Sequence, residues 1–514
     1  MVIFGMILGR KSLKIFFVFL VSVLFISFCG RFSGEYTGKV VSFTQVELKV
    51  AGQDSGWFSN FIQDKSGGIH LVYYQLPKRT ILWAHAPNLR TGFTQIEVID
   101  EAGENDNFGS RPLPRVVVDS KNIPHVIYTR HIVNGESVFR IYHAWRVDDN
   151  KWIKEPVNIS CLVEPKAEFL DAAIDPEDII HIAYIGYDGK LYYIAVDAQN
   201  QTRACEVIDP AVGEIARVPS GGRLSGCVSL KIDPAGGIHV AYYDAENGNP
   251  KYAYKKKWET TWDISVVGWE RFSQELTLVQ SLGEYEAELL YPSNESKLDT
   301  YIFAVGPGGR REVSHDFWRF KGSRKVVFSS DVVGPGKEFD PAVFRFNISY
   351  VRTDTSPDDD GNFCAVGYYY PDSKEPEKEQ EKTYQPFIAY SNSTKSTLDF
   401  ARLDRGSRSW KIETVDRVFI GSRINVAYFD LGEKKIPAIV YHDTRRYIIK
   451  IASPDVSSEG SWLIFDAISR GAVGFHLFAD SLQGGFIGLS YIRKVITEDV
   501  LFFSVSEYPK KVIF

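Results

Sequence analysis

The sequence predicts an all-β fold, a β-propeller built of four-stranded antiparallel blades. Three observations carry that expectation. A strand motif recurs at nearly constant spacing, each period holds four strand-length apolar segments, and a segment near one end duplicates what the other end lacks.

The recurring motif is clearest at Gly236–Asp244, which reads GGIHVAYYD. Related copies start at Gly67 (GGIHLVYYQ), Asn122 (NIPHVIYTR) and Asp178 (DIIHIAYIG). Their tyrosines, Tyr73, Tyr128, Tyr184 and Tyr242, are spaced by 55, 56 and 58 residues. A second set without the histidine, Tyr390, Tyr441 and Tyr491, is spaced by 51 and 50. A fixed period of this size marks an array of supersecondary units. The interval from Tyr242 to Tyr390 is 148 residues, too long for one step, and Tyr291 lies 49 beyond Tyr242. A degenerate copy at Tyr291 gives eight blades; without it the count is seven. The polar stretches 354–362 (DTSPDDDGN) and 371–382 (PDSKEPEKEQEK) read as insertions in this interval.

Within one period SLKID, IHVAYYD, KYAYKKK and WDISVV follow one another, separated by Gly, Pro, Asn and Asp. Apolar residues in rough alternation, rich in β-branched and aromatic types, suit short half-buried strands. The fourth segment opens on an aromatic residue, at Phe93, Trp152, Trp262, Trp410 and Trp462. The last period reaches its third strand, VLFFSVSE, with no aromatic-led fourth behind it. FTQVELKV from Phe43 nearly repeats the fourth strand FTQIEVID from Phe93. Phe43–Val50 is therefore expected to complete the last blade, which closes the ring and removes its open edges.

The D-x-x-G-x-I-H-V-A-Y-Y-D units with a tryptophan-led fourth strand resemble the BNR-type repeats of sialidase-like propellers in exported bacterial proteins. The resemblance covers roughly Val40–Phe514 at the level of repeat architecture. The Asp-box S-x-D-x-G-x-T-W is absent, so the resemblance implies a fold and carries little about activity.

Composition fits a globular protein with a sizeable core, at 44% hydrophobic and 24% charged residues. A net charge of −6 and the lack of a basic stripe argue against nucleic acid as a partner. Arg10, Lys11 and Lys14 precede the apolar run Ile15–Phe28, which is too short to span a bilayer comfortably and suits a signal peptide. Cys29 directly follows, as in bacterial lipoprotein signals, although Phe28 stands where a small residue is usual. Residues 1–28 are thus expected to be a signal peptide, Cys29 the lipidated first mature residue, 29–39 a tether and 40–514 the propeller. An ordinary cleaved signal or an uncleaved anchor are the alternatives, and all three export the chain. Cys161, Cys205, Cys227 and Cys364 allow up to two disulfides or buried thiols, and their spacing is not that of a zinc site.

His70, His125, His181 and His239 each follow an aspartate by six residues (Asp64, Asp119, Asp175, Asp233). Equivalent positions of a ring cannot converge on one ion, so these histidines are expected to hold their own blades together by hydrogen bonds. Binding residues are expected in two loop classes on one face. Arg130, His131, Asp244, His442 and Asp443 sit at the turn between second and third strands; Arg111, Arg223 and Arg423 lead into first strands. Arginines so placed suit a carboxylate or sulfate. No nucleophile elbow, H-E-x-x-H, P-loop or C-x-x-C motif occurs, and no metal or cofactor is expected. The expectation is a non-enzymatic, monomeric lipoprotein of the bacterial envelope that binds a glycan or protein. A glycosidase, a polysaccharide lyase and an envelope scaffold are the alternatives, with a periplasmic or secreted location as the alternative to the surface.

Overall fold

The computed structural model describes residues 47–508 apart from 52–54, 104–105, 109–111, 134–136, 159–163, 211, 213–226, 245–248, 258, 268, 271–277, 282–283, 290–296, 307–308, 317–323, 329–344, 354–359, 371–383, 393–394, 405–408, 421–422, 433, 457, 459, 470–472 and 496–497. From 269 to 353 it fixes strands alone. The expected signal segment, Cys29, the tether, most of 354–362 and all of 371–382 lie outside the described residues.

Seven four-stranded antiparallel sheets follow one another around a ring. Blade 1 comprises β2 (Ser55–Gln63), β3 (Ile69–Gln75), β4 (Thr80–Ala86) and β5 (Gln95–Glu101). Blade 2 comprises β6 (Arg115–Val118), β7 (Pro124–Val133), β8 (Ser137–Asp148) and β9 (Lys151–Pro156), and blade 3 β10 (Pro165–Ile174), β11 (Ile179–Gly186), β12 (Leu191–Asp197) and β13 (Thr202–Asp209). Blade 4 is β14 (Val228–Ile232), β15 (Ile238–Asp244), β16 (Asn249–Lys255) and β17 (Asp263–Val266). Blade 5 is β25 (Asp360–Tyr369), β26 (Gln385–Asn392), β27 (Thr397–Asp404) and β28 (Ser409–Asp416), and blade 6 β29 (Asn425–Asp430), β30 (Lys435–Asp443), β31 (Ile448–Pro454) and β32 (Trp462–Ile468). Blade 7 takes β33 (Val473–Leu482), β34 (Phe486–Val495) and β35 (Glu498–Ser506) from the C-terminal side and β1 (Glu47–Ala51) from the N-terminal side. Leu48 pairs with Phe503 and Lys49 with Phe502. The expected closure is present.

The count is seven rather than eight. Between blades 4 and 5 the chain forms β18 (Trp269–Glu270), β19 (Leu278–Ser281), β20 (Glu284–Leu289), β21 (Lys297–Gly306), β22 (Gly309–Asp316), β23 (Arg324–Phe328) and β24 (Arg345–Thr353). These make two small sheets ordered β18-β24-β21-β22 and β19-β20-β23. A blade is a meander in which sequence neighbours pair, and neither sheet has that order. The spacing of Tyr291 from Tyr242 therefore marks no eighth blade.

The core lies between blades rather than inside them. One apolar cluster joins blades 3 and 4 through Ile185, Tyr193, Leu230 and Tyr242; another joins blades 7 and 1 through Phe61, Leu71, Leu501 and Phe503. Each fully buried Leu, Ile or Phe contributes roughly 1.5–3 kcal/mol, so every seam is held by several such side chains. The second strands carry the longest buried runs, with β15 buried from end to end, whereas the outer strand β9 is almost wholly exposed. This gradient explains why the sequence motif is strongest in the second strand.

The four tryptophans that open fourth strands each donate to the preceding blade. Trp152 Nε1 donates to Glu97 (2.8 Å), Trp262 Nε1 to Glu206 (2.9 Å) and Trp462 Nε1 to Glu413 (3.2 Å), each on the outer strand of the preceding blade. Trp410 donates to Ser265 (3.2 Å), joining blades 5 and 4 across the inserted sheets. The Cys227–Cys364 disulfide joins the same two blades near their inner strands. Cys205 is also disulfide-bonded.

Candidate functional site

The inner strands β2, β6, β10, β14, β25, β29 and β33 line an axial cavity of about 520 Å³. Most polar side chains on that wall are spent on the wall itself. Asn60 Oδ1 accepts the amide of Val116 (2.8 Å), Asp171 Oδ2 the amide of Leu230 (2.9 Å) and Ser229 Oγ that of Val366 (3.1 Å). Each bond ties one inner strand to the next. Asp171 is also ion-paired with Arg115 (2.6 Å), a fully buried guanidinium.

At the end where the inner strands finish, Lys231 of blade 4 reaches Asp480 of blade 7 (3.7 Å), an ion pair that spans the axis. Tyr368, Tyr370 and Tyr428 cluster at that same end, with Tyr368 Oη donating to the carbonyl of Ile232 (3.1 Å). Burial, reinforced by neighbouring tyrosines, keeps the Tyr368 phenol protonated far above its ordinary range. It is unsuited to act as a base.

The opposite end differs. Trp57, Phe58 and His476 meet there, with ring centroids 4.3 Å apart for Phe58–His476 and 4.8 Å for Trp57–His476. Phe58 and His476 both have left-handed backbones, φ 55° in each case. Both lie where the pairing of an inner strand slips, between Trp57 and Asn60 in β2 and between Phe475 and Phe478 in β33. Bulges re-aim side chains, and a positive φ in bulky residues is costly, so such features gather where a site is built. The Trp57 indole N–H is buried and finds no acceptor among the described residues. Arg423, immediately before β29, lines the same cavity and is part-exposed.

Of the residues singled out from sequence, Arg423 alone is placed at this mouth. Arg111 and Arg223 lie outside the described residues. Arg130 sits on the seam of blades 1 and 2, paired with Asp100 (2.9 Å) and Asp106 (3.0 Å). His131 stacks on Phe139 and is bonded to Asn107 (3.0 Å). Asp244 is ion-paired with Lys251 (2.6 Å), His442 is fully buried, and Asp443 accepts the amides of Arg445 (3.1 Å) and Arg446 (3.2 Å). These five belong to three different blades and do not converge.

Each repeated histidine turns towards the aspartate six residues before it, within hydrogen-bond distance in blades 1 and 4. In each case Nε2 faces the aspartate six residues earlier: His70–Asp64 3.1 Å, His125–Asp119 3.6 Å, His181–Asp175 3.5 Å and His239–Asp233 3.0 Å. The other aspartate oxygen caps the turn, as Asp64 Oδ1 does for the amides of Ser66 (2.7 Å) and Gly68 (2.9 Å). The spacing is that of an aspartate-capped turn with the imidazole folded back on it.

Trp57, Phe58 and His476 were not legible as a site. The only local signal is aromatic crowding without alternation, in GWFSNF and GFHLF, both at the start of a first strand.

No family model matches the chain, and no curated protein matches it. Solved structures resemble it. A protein of unknown function from Dyadobacter fermentans is 11% identical, covering 91% of this chain and 98% of that one, with a TM-score of 0.42. The polysaccharide lyase Uly1 is 9% identical over 93% and 94% of the two chains (TM-score 0.39). A sialidase of Trypanosoma rangeli is 8% identical over 90% and 60% (TM-score 0.38).

Proposed function

We propose that this chain is an exported, lipid-anchored propeller that binds a glycan at the mouth of its axial cavity and catalyses no reaction. The observation that carries the reading is the mouth itself. Phe58, His476 and the part-exposed Arg423 line one cavity, Trp57 packs on the His476 ring behind them, and Lys231–Asp480 crosses the far end. Flat apolar rings stack on the C–H faces of sugars, and a nearby cation suits an acidic one. Hydrolysis of a glycoside needs two carboxyl groups left available. The two described carboxylates on the cavity wall, Asp171 and Asp480, are each held by a cation. Disulfide-bonded cysteines support an oxidising compartment, and with it export.

Incubating the purified protein with an array of neutral and acidic glycans tests this. Binding to an acidic glycan should fall at least about tenfold in Arg423→Ala and in Phe58→Ala, as expected when an anchor of an interface is truncated. Retained binding in both variants would move the site elsewhere. New reducing ends or unsaturated uronates, abolished by Arg423→Ala, would replace binding with catalysis. Cys29→Ser should release the protein from membranes.

A further inference from the structure

Blade 1 departs from the repeat at a second place, on the strand 1–2 turn. In blades 3 and 4 the histidine is bonded on its third-strand side. Nδ1 accepts from a tyrosine of the third strand, Tyr193 Oη at 2.6 Å from His181 and Tyr252 Oη at 2.7 Å from His239, while Nε2 faces the aspartate. In blade 1 the position of that tyrosine is Trp83, whose N–H cannot do the same for His70 in this geometry. Both His70 Nδ1 and Trp83 Nε1 are buried without a partner among the described residues.

A new group appears in exchange. His85 lies directly opposite His70 in the β3–β4 pairing, where blades 2, 3 and 4 have Trp145, Ala195 and Tyr254. The two imidazoles are 4.6 Å apart between ring centres, and Trp83 stacks flat on His85 at 5.4 Å, fixing its plane. One ligand atom each from Asp64, His70 and His85 lies within 4.8 Å of the others. Asp64 Oδ1 is committed to the turn, which leaves Oδ2 facing the imidazoles. A side chain at Gly68 would meet Asp64 Oδ2 at 2.7 Å and His85 Nε2 at 2.9 Å, so the glycine keeps the space between them open. Arg146, the nearest cation, is held by Glu97 (2.8 Å).

We propose that Asp64, His70 and His85 bind a divalent transition cation of the zinc class. Two imidazoles and one carboxylate are borderline ligands that favour such an ion over calcium or magnesium. Metal–ligand bonds of about 2.0–2.1 Å require the three atoms to close to roughly 3.3 Å, which side-chain rotation supplies. His85 is part-exposed, so a fourth position opens to solvent. This reverses the expectation of no metal: four equivalent histidines do not share an ion, but one blade assembles three ligands of its own.

The test is zinc titration of the tag-free, metal-stripped protein by calorimetry, with thermal unfolding alongside. One equivalent should bind and raise the unfolding midpoint, as any ligand of the folded state does. His85→Gln, at a part-exposed position outside the repeated Asp–His pairs, should weaken binding by about tenfold or more and remove the midpoint shift. Asp64→Asn should do the same, whereas His131→Gln should change nothing. Absence of zinc uptake, or uptake unchanged by His85→Gln, would overturn the proposal.

Discussion

The hydroxyl of Tyr242 in the fourth blade lies 2.7 Å from Oδ2 of Asp209, the last residue of the third blade. The same contact recurs as Tyr128 to Asp100 (3.0 Å) and Tyr441 to Asp416 (2.6 Å). A cation accompanies each pair: Lys251 at Asp209, Arg130 and Lys154 at Asp100, Lys450 at Asp416. In blades 2, 4 and 6 the tyrosine that marks the sequence period is thus a staple to the preceding blade.

Tyr242→Phe should cost about 1.5–3 kcal/mol in chemical denaturation, the worth of a buried hydrogen bond to a charged acceptor. Lys251→Ala should cost more, about 3–5 kcal/mol, because it removes the cation from two buried carboxylates, Asp209 and Asp244. Equal losses for the two variants would show that the lysine is not the centre of the staple.

Acid should weaken the fold before its carboxylates titrate. His125 and His143 are buried and bonded to each other (2.9 Å), and burial, aided by the neighbouring imidazole, draws His143 down to about 3. In the unfolded chain the same group takes up its proton near pH 6.5. Stability is therefore full above about pH 6.5 and declines as the pH falls from there towards about 3, since the unfolded state gains the proton first. Unfolding midpoints measured from pH 7.5 to 4.5 should fall steadily, and His143→Gln should flatten the slope. A flat wild-type profile would contradict this.

Gly237→Ala should destabilise by about 1–3 kcal/mol through overpacking. Its new methyl would collide with the Asp233 carboxylate and stand 2.9 Å from Tyr254 Oη, pushing apart the Asp233–His239 pair. Calorimetric unfolding of the variant measures it, and an unchanged midpoint would mean that the turn yields freely.

Replacing Cys227 and Cys364 together by Ser should cost about 2–5 kcal/mol, because their bond closes a loop with a sequence separation of 137 residues. Without reductant the double variant should denature at a lower midpoint than the wild type, and equal midpoints would contradict this.

Architecture was legible because each repeat carries its own cause. The tyrosine of blades 2, 4 and 6 is a staple to the preceding blade, the six-residue Asp–His spacing comes from the capped turn, and Trp152, Trp262 and Trp462 reach the previous blade's glutamate. The blade count was not fully legible. Seven tyrosines, Tyr73 to Tyr491, stand for seven blades, but the segment between β17 and β25 is also made of strands, whose pairing order is not that of a blade. The mouth was less legible still. Phe58 and His476 owe their positions to bulges and left-handed backbones, which aromatic residues do not advertise. Asp64 and His70 were visible as a pair, while His85 joins them through register across β3 and β4.

The pairing of β1 with β35 also sets a schedule for synthesis. Six blades can assemble as they emerge from the ribosome, but β1, made before all of them, has no partner until β35 is complete. Through that whole interval it must stay available, without docking on another edge. The ring is consequently a check on its own integrity: a chain cut short at either end lacks a strand of the same blade, and leaves an unpaired edge for chaperones or proteases to find.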